Sequence, residues 1–427
     1  MRIAIQGCCH GELDTIYNKL LQTHSSTKID LLLICGDFQA IRNKFDLKSM
    51  SVPDKFKKLG NFYEYYTGIK KAPILTVFIG GNHEASNYLF ELFYGGWVCP
   101  NIYYLGSAGV INIGGLRIAG ISGIYNQFNY HKGFYETQPF RGGDVKSVYH
   151  TRKFNVDKLS LIKNPVDIFL SHDWPIGITD HGDVKTLLKK KSFFRKEVEE
   201  RRLGSPPLEY LLNHIQPKYW FSAHLHVRFS ATVVHDSIQN GPKIQTQKSN
   251  DIGEFNPDQI DIDVSDDEID STANPDQIQI EVSDDDENDT ATKKLNDDKD
   301  EIPAQSGSKN SVKKQRLANR TEFLALDKCG KHREFLEIVD VPHDANIPIE
   351  VQLDREWLSI IKSTYPYISF QKSQKHIPKD IDNALSANLA WIENHLAELR
   401  PPEFIETSTA YNENLSDSID GTIYYFR

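Results

Sequence analysis

Through the first 234 positions, short apolar runs alternate with segments of helical spacing. That alternation predicts an α/β or layered α+β fold, with strands inside and helices outside. Two further observations frame it. At 427 residues the chain is too long for one core, so two ordered regions and a linker are expected. The strand candidates also end, one after another, in side chains of the kinds that bind metals.

RIAIQ (2–6) alternates and then runs apolar, as a buried strand does, and stops at Gly7-Cys8-Cys9-His10-Gly11. The adjacent cysteines admit three readings: packing, a redox couple, or part of a metal site. Helical spacing follows over 11–24. DLLLIC (30–35) leads into Gly36-Asp37, and ILTVFI (74–79) into Gly80-Gly81-Asn82-His83-Glu84, before a helical stretch at 85–93. LRIAGIS (116–122) is a further strand. VDIFLS (166–171) ends at Ser171-His172-Asp173, and YWFSA (219–223) at Ala223-His224-Leu225-His226, with helical spacing at 184–190 and 206–215.

Composition narrows the class. Apolar and charged fractions of 39% and 25% are ordinary for a soluble protein. No run of eighteen apolar residues exists, so a helical membrane span is excluded. The first strand follows no basic-then-apolar leader, so secretion is not expected. Five cysteines, an odd and sparse set, argue against a disulfide framework and for a reducing, intracellular setting. The net charge of −10 is unevenly spread: residues 236–307 hold 21 acidic and 5 basic side chains, leaving 44 basic against 38 acidic elsewhere. The ordered part is mildly basic, which is compatible with a polyanionic ligand.

Residues 236–320 read as a disordered acidic linker. NPDQIDIDVSDDEIDSTA (256–273) is followed directly by NPDQIQIEVSDDDENDTA (274–291), a local duplication with few aromatic residues and too little apolar surface to offset chain entropy. Ser265 and Ser283 suit an acid-directed kinase or are plain surface serines. Lys313, Lys314 and Arg316 form a candidate nuclear address or a solvated tail. Order is expected again from 321 to 427, with strand-like EFLALDKCG and REFLEIVDV flanking a turn and helical stretches at 354–363 and 379–398. The linker therefore separates 1–235 from 321–427, as a junction between two domains or an insertion within one folded unit.

A single histidine at a strand end is more often a hydrogen-bonded rim residue than a ligand. Five such endings in succession are different, because the carboxyl ends of neighbouring strands in an α/β sheet converge on one crevice. Asp, Asn, His and Cys together suit a divalent transition metal, and the adjacent glycines suit sharp turns and close backbone approach.

The order Cys8-x-His10, Gly36-Asp37, Gly80-Gly81-Asn82-His83-Glu84, His172 and His224-x-His226 resembles the calcineurin-like metallophosphoesterase superfamily over the whole of 1–234. That resemblance implies an α+β fold, a four-layer α/β/β/α sandwich with a two-metal site at the strand ends. Position by position it implies one metal held by Cys8, His10, Asp37 and His226, and another by Asp37, Asn82, His172 and His224, with Asp37 bridging. Two positions depart from the common pattern. Ala223 stands where many members have glycine, and Cys8 stands where they have aspartate, which disfavours Mg2+ and suits Fe2+ or Zn2+, with Mn2+ tolerated. QGCCHGELD, GDFQAIRN, GGNHEA, SHDWPIG, GDVKTLL, LGSP, SAHLHVRF and EFLALDKC are similar to the RNA lariat debranching enzymes, in which that cysteine is part of the pattern. With it comes a smaller C-terminal domain packing on the catalytic one. Cys9 is then expected to pack inward.

What that narrower resemblance implies is hydrolysis of the 2′,5′-phosphodiester at the branch point of an excised intron lariat, with a bridging hydroxide as nucleophile. His83, the family's non-ligand histidine, becomes the general acid, with Glu84 or a neighbouring carboxylate holding its orientation. The aromatic and basic segment 123–152 becomes a lariat-recognition loop. Within it Tyr125, Phe128 and Tyr130 are candidate base stackers, and Arg141, His150 and Arg152 candidate phosphate contacts, although a packed aromatic cover accounts for them as well. Branched RNA is the expected partner and a monomer the expected state, in the nucleus or also in the cytoplasm, with no membrane. The competing readings are a phosphoesterase acting on phosphoproteins or nucleotides, and a non-catalytic scaffold on the same fold.

Overall fold

The computed structural model of the chain describes residues 1–23, 28–235, 319–395, 399, 401 and 403–411. The acidic repeat with its two serines, and the basic cluster at 313–316, lie outside the described residues.

Thirteen strands are described: β1 (Arg2–Gln6), β2 (Leu31–Ile34), β3 (Thr76–Phe78), β4 (Gly96–Cys99), β5 (Ile102–Tyr104), β6 (Ala108–Ile113), β7 (Leu116–Ile121), β8 (Ile168–Ser171), β9 (Tyr219–Ser222), β10 (Phe229–Val234), β11 (Arg320–Ala325), β12 (Leu336–Asp340) and β13 (Gln352–Leu353). They form two sheets, a six-stranded one in the order β12-β1-β2-β3-β5-β4 and a seven-stranded one in the order β10-β11-β9-β8-β7-β6-β13. β1, β2, β3 and β5 run parallel in the first, and β7, β8, β9 and β11 in the second. Each sheet therefore presents a row of carboxyl ends along one edge.

The two-residue side-chain period sorts the apolar residues into layers. Ile3, Ile5, Leu31, Leu33 and Val77 of the first sheet meet Ile111, Ile118, Ile168, Leu170 and Phe221 of the second. Their neighbours Ala4, Leu32, Ile34 and Phe78 point the other way, onto Leu13, Ile16 and Leu20 of the helix Leu13–Thr23 and onto Phe62, Tyr66 and Tyr88. Phe169 and Trp220 lie off the inter-sheet set and stack at 4.2 Å, and the helices Lys153–Ser160 and Pro206–Ile215 pack on each other. Helices, sheet, sheet and helices make the α+β sandwich. Each fully buried Leu, Ile or Phe of these layers contributes about 1.5–3 kcal/mol.

The region after 319 completes both sheets. β11 lies between β10 and β9, and β12 pairs antiparallel with β1, Gln6 opposite Leu336. The described residues belong to one compact unit. β4, β5, β6, β10 and β13 were not among the expected strands: β4, β5, β6 and β13 are short or interrupted by glycine or asparagine, whereas β10 alternates buried and exposed residues without a long apolar run. No helix of the described residues is long and apolar enough to cross a membrane.

Candidate metal centre

Every strand-end motif lands on the same edge. Four of the expected ligands, His10, Asp37, His224 and His226, hold φ at 50°, 49°, 65° and 49°, in the left-handed region. Such conformations cost about 1–3 kcal/mol each and cluster where function needs a side chain aimed. The space between the turns exists because two residues lack a Cβ. At Gly81 a Cβ would lie 2.2 Å from Asp37 Oδ1, and at Gly36 (φ +107°) 2.2 Å from His172 Nδ1.

The donor atoms of Cys8, His10, Asp37 and His226 all lie within 4.8 Å of one another. His10 Nε2 is 3.3 Å from His226 Nε2 and 3.7 Å from Asp37 Oδ2, an oxygen buried without a hydrogen-bond partner. On the other side of the carboxylate, His172 Nε2 lies 3.4 Å from Asp37 Oδ1 and 3.1 Å from Asn82 Oδ1, and the His224 ring centroid is 5.0 Å from that of His172. The seven expected ligands thus converge on Asp37, one oxygen to each side. Four imidazoles, an amide oxygen, a thiol and a shared carboxylate are a donor set that fits divalent transition metals.

Electrostatics agree with that use. Burial pushes His10 down to about 4, His224 to about 3 and His226 to about 2, so their nitrogens are neutral with lone pairs open to a cation. Burial alone would raise Asp37, but the imidazoles of His172, His83 and His10 hold it well below the usual carboxylate range. Burial and the Asp37 charge push the Cys8 thiol well up, and a cation beside it reverses that balance. The His224 backbone N–H, 3.2 Å from Cys8 Sγ, already favours the thiolate. His172 Nδ1 donates to the Cys35 carbonyl at 2.7 Å, which leaves Nε2 facing Asp37 and Asn82.

Four expectations need correction. Glu84 does not orient His83: its oxygens accept the backbone N–H groups of Phe38 (2.8 Å), Gln39 (2.8 Å) and Gly81 (3.0 Å), clamping the Asp37 turn to the Asn82 turn. Among the described residues no carboxylate bonds the His83 ring either: its Nδ1 is buried without a partner, and its backbone N–H donates to Asp37 Oδ1 at 2.9 Å. Arg152 is not a surface phosphate contact, being 1% exposed and committed to Glu136 and the carbonyls of Asn129 and Ser147. His150 is likewise buried, its Nδ1 2.8 Å from Asn129 Nδ2. Arg141 and Phe128 are exposed, and Tyr125 and Tyr130 are half-buried with rings edge to face at 5.6 Å. The base of the 123–152 segment is pinned by Thr151 N–H to the Ile124 carbonyl, and its middle by Phe134 N–H to the Ser369 carbonyl. Gln39, whose amide sits 3.4 Å from His10 Nδ1, escaped the sequence reading, although it lies inside the quoted GDFQ motif.

Residues 1–228 match the family model for calcineurin-like phosphoesterases, and residues 318–418 match that for the lariat debranching enzyme C-terminal domain. The chain belongs to the calcineurin-like phosphoesterases and, within them, to the lariat debranching enzyme family. It is 43% identical to the lariat debranching enzyme of Schizosaccharomyces pombe, over 99% of this chain and 93% of that one. Against lariat debranching enzyme A of Xenopus laevis the identity is 45% over 89% of this chain, and against the lariat debranching enzyme of Homo sapiens 42% over 89%. The chain spans 58% and 57% of the lengths of those two relatives.

Proposed function

We propose that the chain hydrolyses the 2′,5′-phosphodiester at the branch point of lariat RNA, leaving a linear RNA with a 5′-phosphate and a free 2′-hydroxyl. The observation that carries this reading is the convergence of seven donors on the two oxygens of Asp37, in a chain of the lariat debranching family. Cys8, His10, Asp37 and His226 would hold one divalent cation, and Asp37, Asn82, His172 and His224 a second. Such a pair neutralises phosphate oxygens and lets a water attack phosphorus near neutral pH. The thiol favours Fe2+ or Zn2+, with Mn2+ tolerated, over Mg2+.

The chain's own groups supply the rest. As the water oxygen bonds to phosphorus, the P–O2′ bond breaks and its electron pair passes to the 2′-oxygen, which needs a proton. His83 is the group in position to supply it: its ring adjoins the donor set, Nε2 accepting from Asn82 Nδ2 at 3.1 Å at rest, and the protonated ring is the acid. Glu84 keeps the Asp37 and Asn82 turns at fixed separation while this occurs. Exposed Phe128 and Arg141, on a segment closed at its base, are suited to stack on an unpaired base and meet a phosphate. An intron-derived substrate supports a nuclear setting, shared or not with the cytoplasm.

The test is anaerobic purification with metal quantification, followed by turnover of a synthetic 2′,5′-branched RNA beside a phosphopeptide. Two bound transition metals and preferential branched-RNA cleavage are expected. Faster phosphopeptide turnover refutes the substrate, and a protein without transition metal points to a scaffold.

A further inference from the structure

The turn between β11 and β12 crosses from one sheet to the other directly over the first metal-ligand loop. It is fastened at both flanks: the Leu326 N–H donates to the Ser222 carbonyl at 3.1 Å, and the Gly7 N–H to the Phe335 carbonyl at 3.0 Å. Its interior is fastened to the site itself, where the Cys329 N–H donates to the carbonyl of the ligand Cys8 at 2.9 Å. Gly7 makes room for it, since a Cβ there would stand 2.0 Å from the Asp327 carbonyl oxygen. Asp327 is held in turn by its N–H to the Glu334 carbonyl and by Arg333 Nη1, 3.0 Å from Oδ1. Lys328 therefore sits between two anchored residues, one of them bonded to a metal ligand's backbone.

Three features separate this lysine from an ordinary surface one. It is half-buried. Its ammonium has no carboxylate partner among the described residues, whereas Asp327 beside it is taken by Arg333. Its neighbour Cys329 is bonded to the carbonyl of Cys8, whose sulfur lies within 4.8 Å of the ring nitrogens of His10 and His226, so the residue stands on their side of the centre. A fixed positive charge there repels the cations that those rings would hold. The arrangement is unfavourable alone and becomes favourable when an anion lies between the ammonium and the centre. A phosphodiester is such an anion.

We propose that Lys328 is a substrate-binding residue, contacting a phosphate oxygen of the bound RNA on the His10/His226 side of the centre. This deepens the branched-RNA reading and rests on it. It also gives the C-terminal region a direct part in binding substrate, through a residue far along the chain from the last metal-ligand motif, which ends at His226.

The experiment compares wild type with Lys328→Ala, Lys328→Arg and Lys328→Glu as full chains, measuring metal content, KM and kcat on a synthetic branched RNA at several salt concentrations. Lys328→Ala should raise KM on the order of tenfold to a hundredfold, more than it changes kcat, as expected for loss of one charge-assisted hydrogen bond. The slope of log KM against log salt should fall by about 0.7, one single-stranded phosphate contact. Lys328→Arg should restore most of both, and Lys328→Glu should be worse than alanine. A KM and salt slope like wild type in Lys328→Ala overturn the proposal. Loss of metal in that variant, or failure of arginine to restore what alanine loses, assigns Lys328 a structural part and overturns it too. If wild type itself does not cleave branched RNA, the functional reading fails first, and it does so independently of any variant.

Discussion

Replacing Lys158 with methionine should stabilise the protein at neutral pH. The lysine lies on the helix Lys153–Ser160, is 1% exposed, and its Nζ has no hydrogen-bond partner. Four rings surround it, Phe154 at 5.2 Å, Trp357 at 5.3 Å, and Phe93 and Tyr94 at 5.5 Å. Burial pushes the amine from its ordinary 10.5 down to about 7. At ~1.4 kcal/mol per pH unit that difference corresponds to about 5 kcal/mol. Attraction to the ring faces, about 0.5–2 kcal/mol, offsets part of it. Methionine keeps the volume without the charge, so a net gain of about 3–4.5 kcal/mol at pH 7 follows. The unfolded chain holds the proton up to about pH 10.5 while the folded protein releases it near 7. Between those values the unfolded state binds more protons, and wild-type stability rises with pH by up to ~1.4 kcal/mol per unit. The gap between variant and wild type is thus widest at or below pH 7 and closes toward pH 10. Urea denaturation of both proteins across that range measures it. Equal stability at pH 7, or a gap that does not narrow, would refute the account of a desolvated amine.

Other outcomes follow from the centre. Cys8→Ser, which exchanges an ionisable sulfur for a hydroxyl, should lower both bound metal and branched-RNA turnover, and unchanged metal by elemental analysis would remove Cys8 from the ligand set. His83→Ala should keep its metal but lose about 10²–10⁴-fold in kcat, and a normal kcat would end its role as acid. Gly81→Ala puts a Cβ 2.2 Å from Asp37 Oδ1 and 2.6 Å from the Asp37 backbone nitrogen, so metal stoichiometry and thermal midpoint should both fall together. Full metal loading in that variant would mean that the Asp37 turn yields more readily than its fixed contacts imply.

Much of the site could be read along the chain because each motif is local. A buried strand, a small residue and a donor recur at Gly36-Asp37, Gly81-Asn82 and Ala223-His224, and parallel strands bring such endings to one edge whatever lies between them. The family resemblance then assigned each donor to a side of Asp37. The roles decided by distant partners were out of reach of any local pattern. Arg152 has the composition of a phosphate contact, yet Glu136 and two carbonyls claim it inside the segment. Glu84 follows the acid candidate in sequence but spends both oxygens on the Asp37 turn and its own loop.

By itself, the order of residues indicated the layered fold and the edge on which chemistry gathers, since periodicity and turn chemistry are properties of neighbours along the chain, and the family resemblance picked seven donor candidates from those strand ends. Only tertiary structure decided that β11 and β12 complete the two sheets, and that the turn carrying Lys328 is bonded through Cys329 to Cys8. Pairing between strands hundreds of positions apart is selected by which buried edge each can satisfy, and that choice exists only once the whole core has formed.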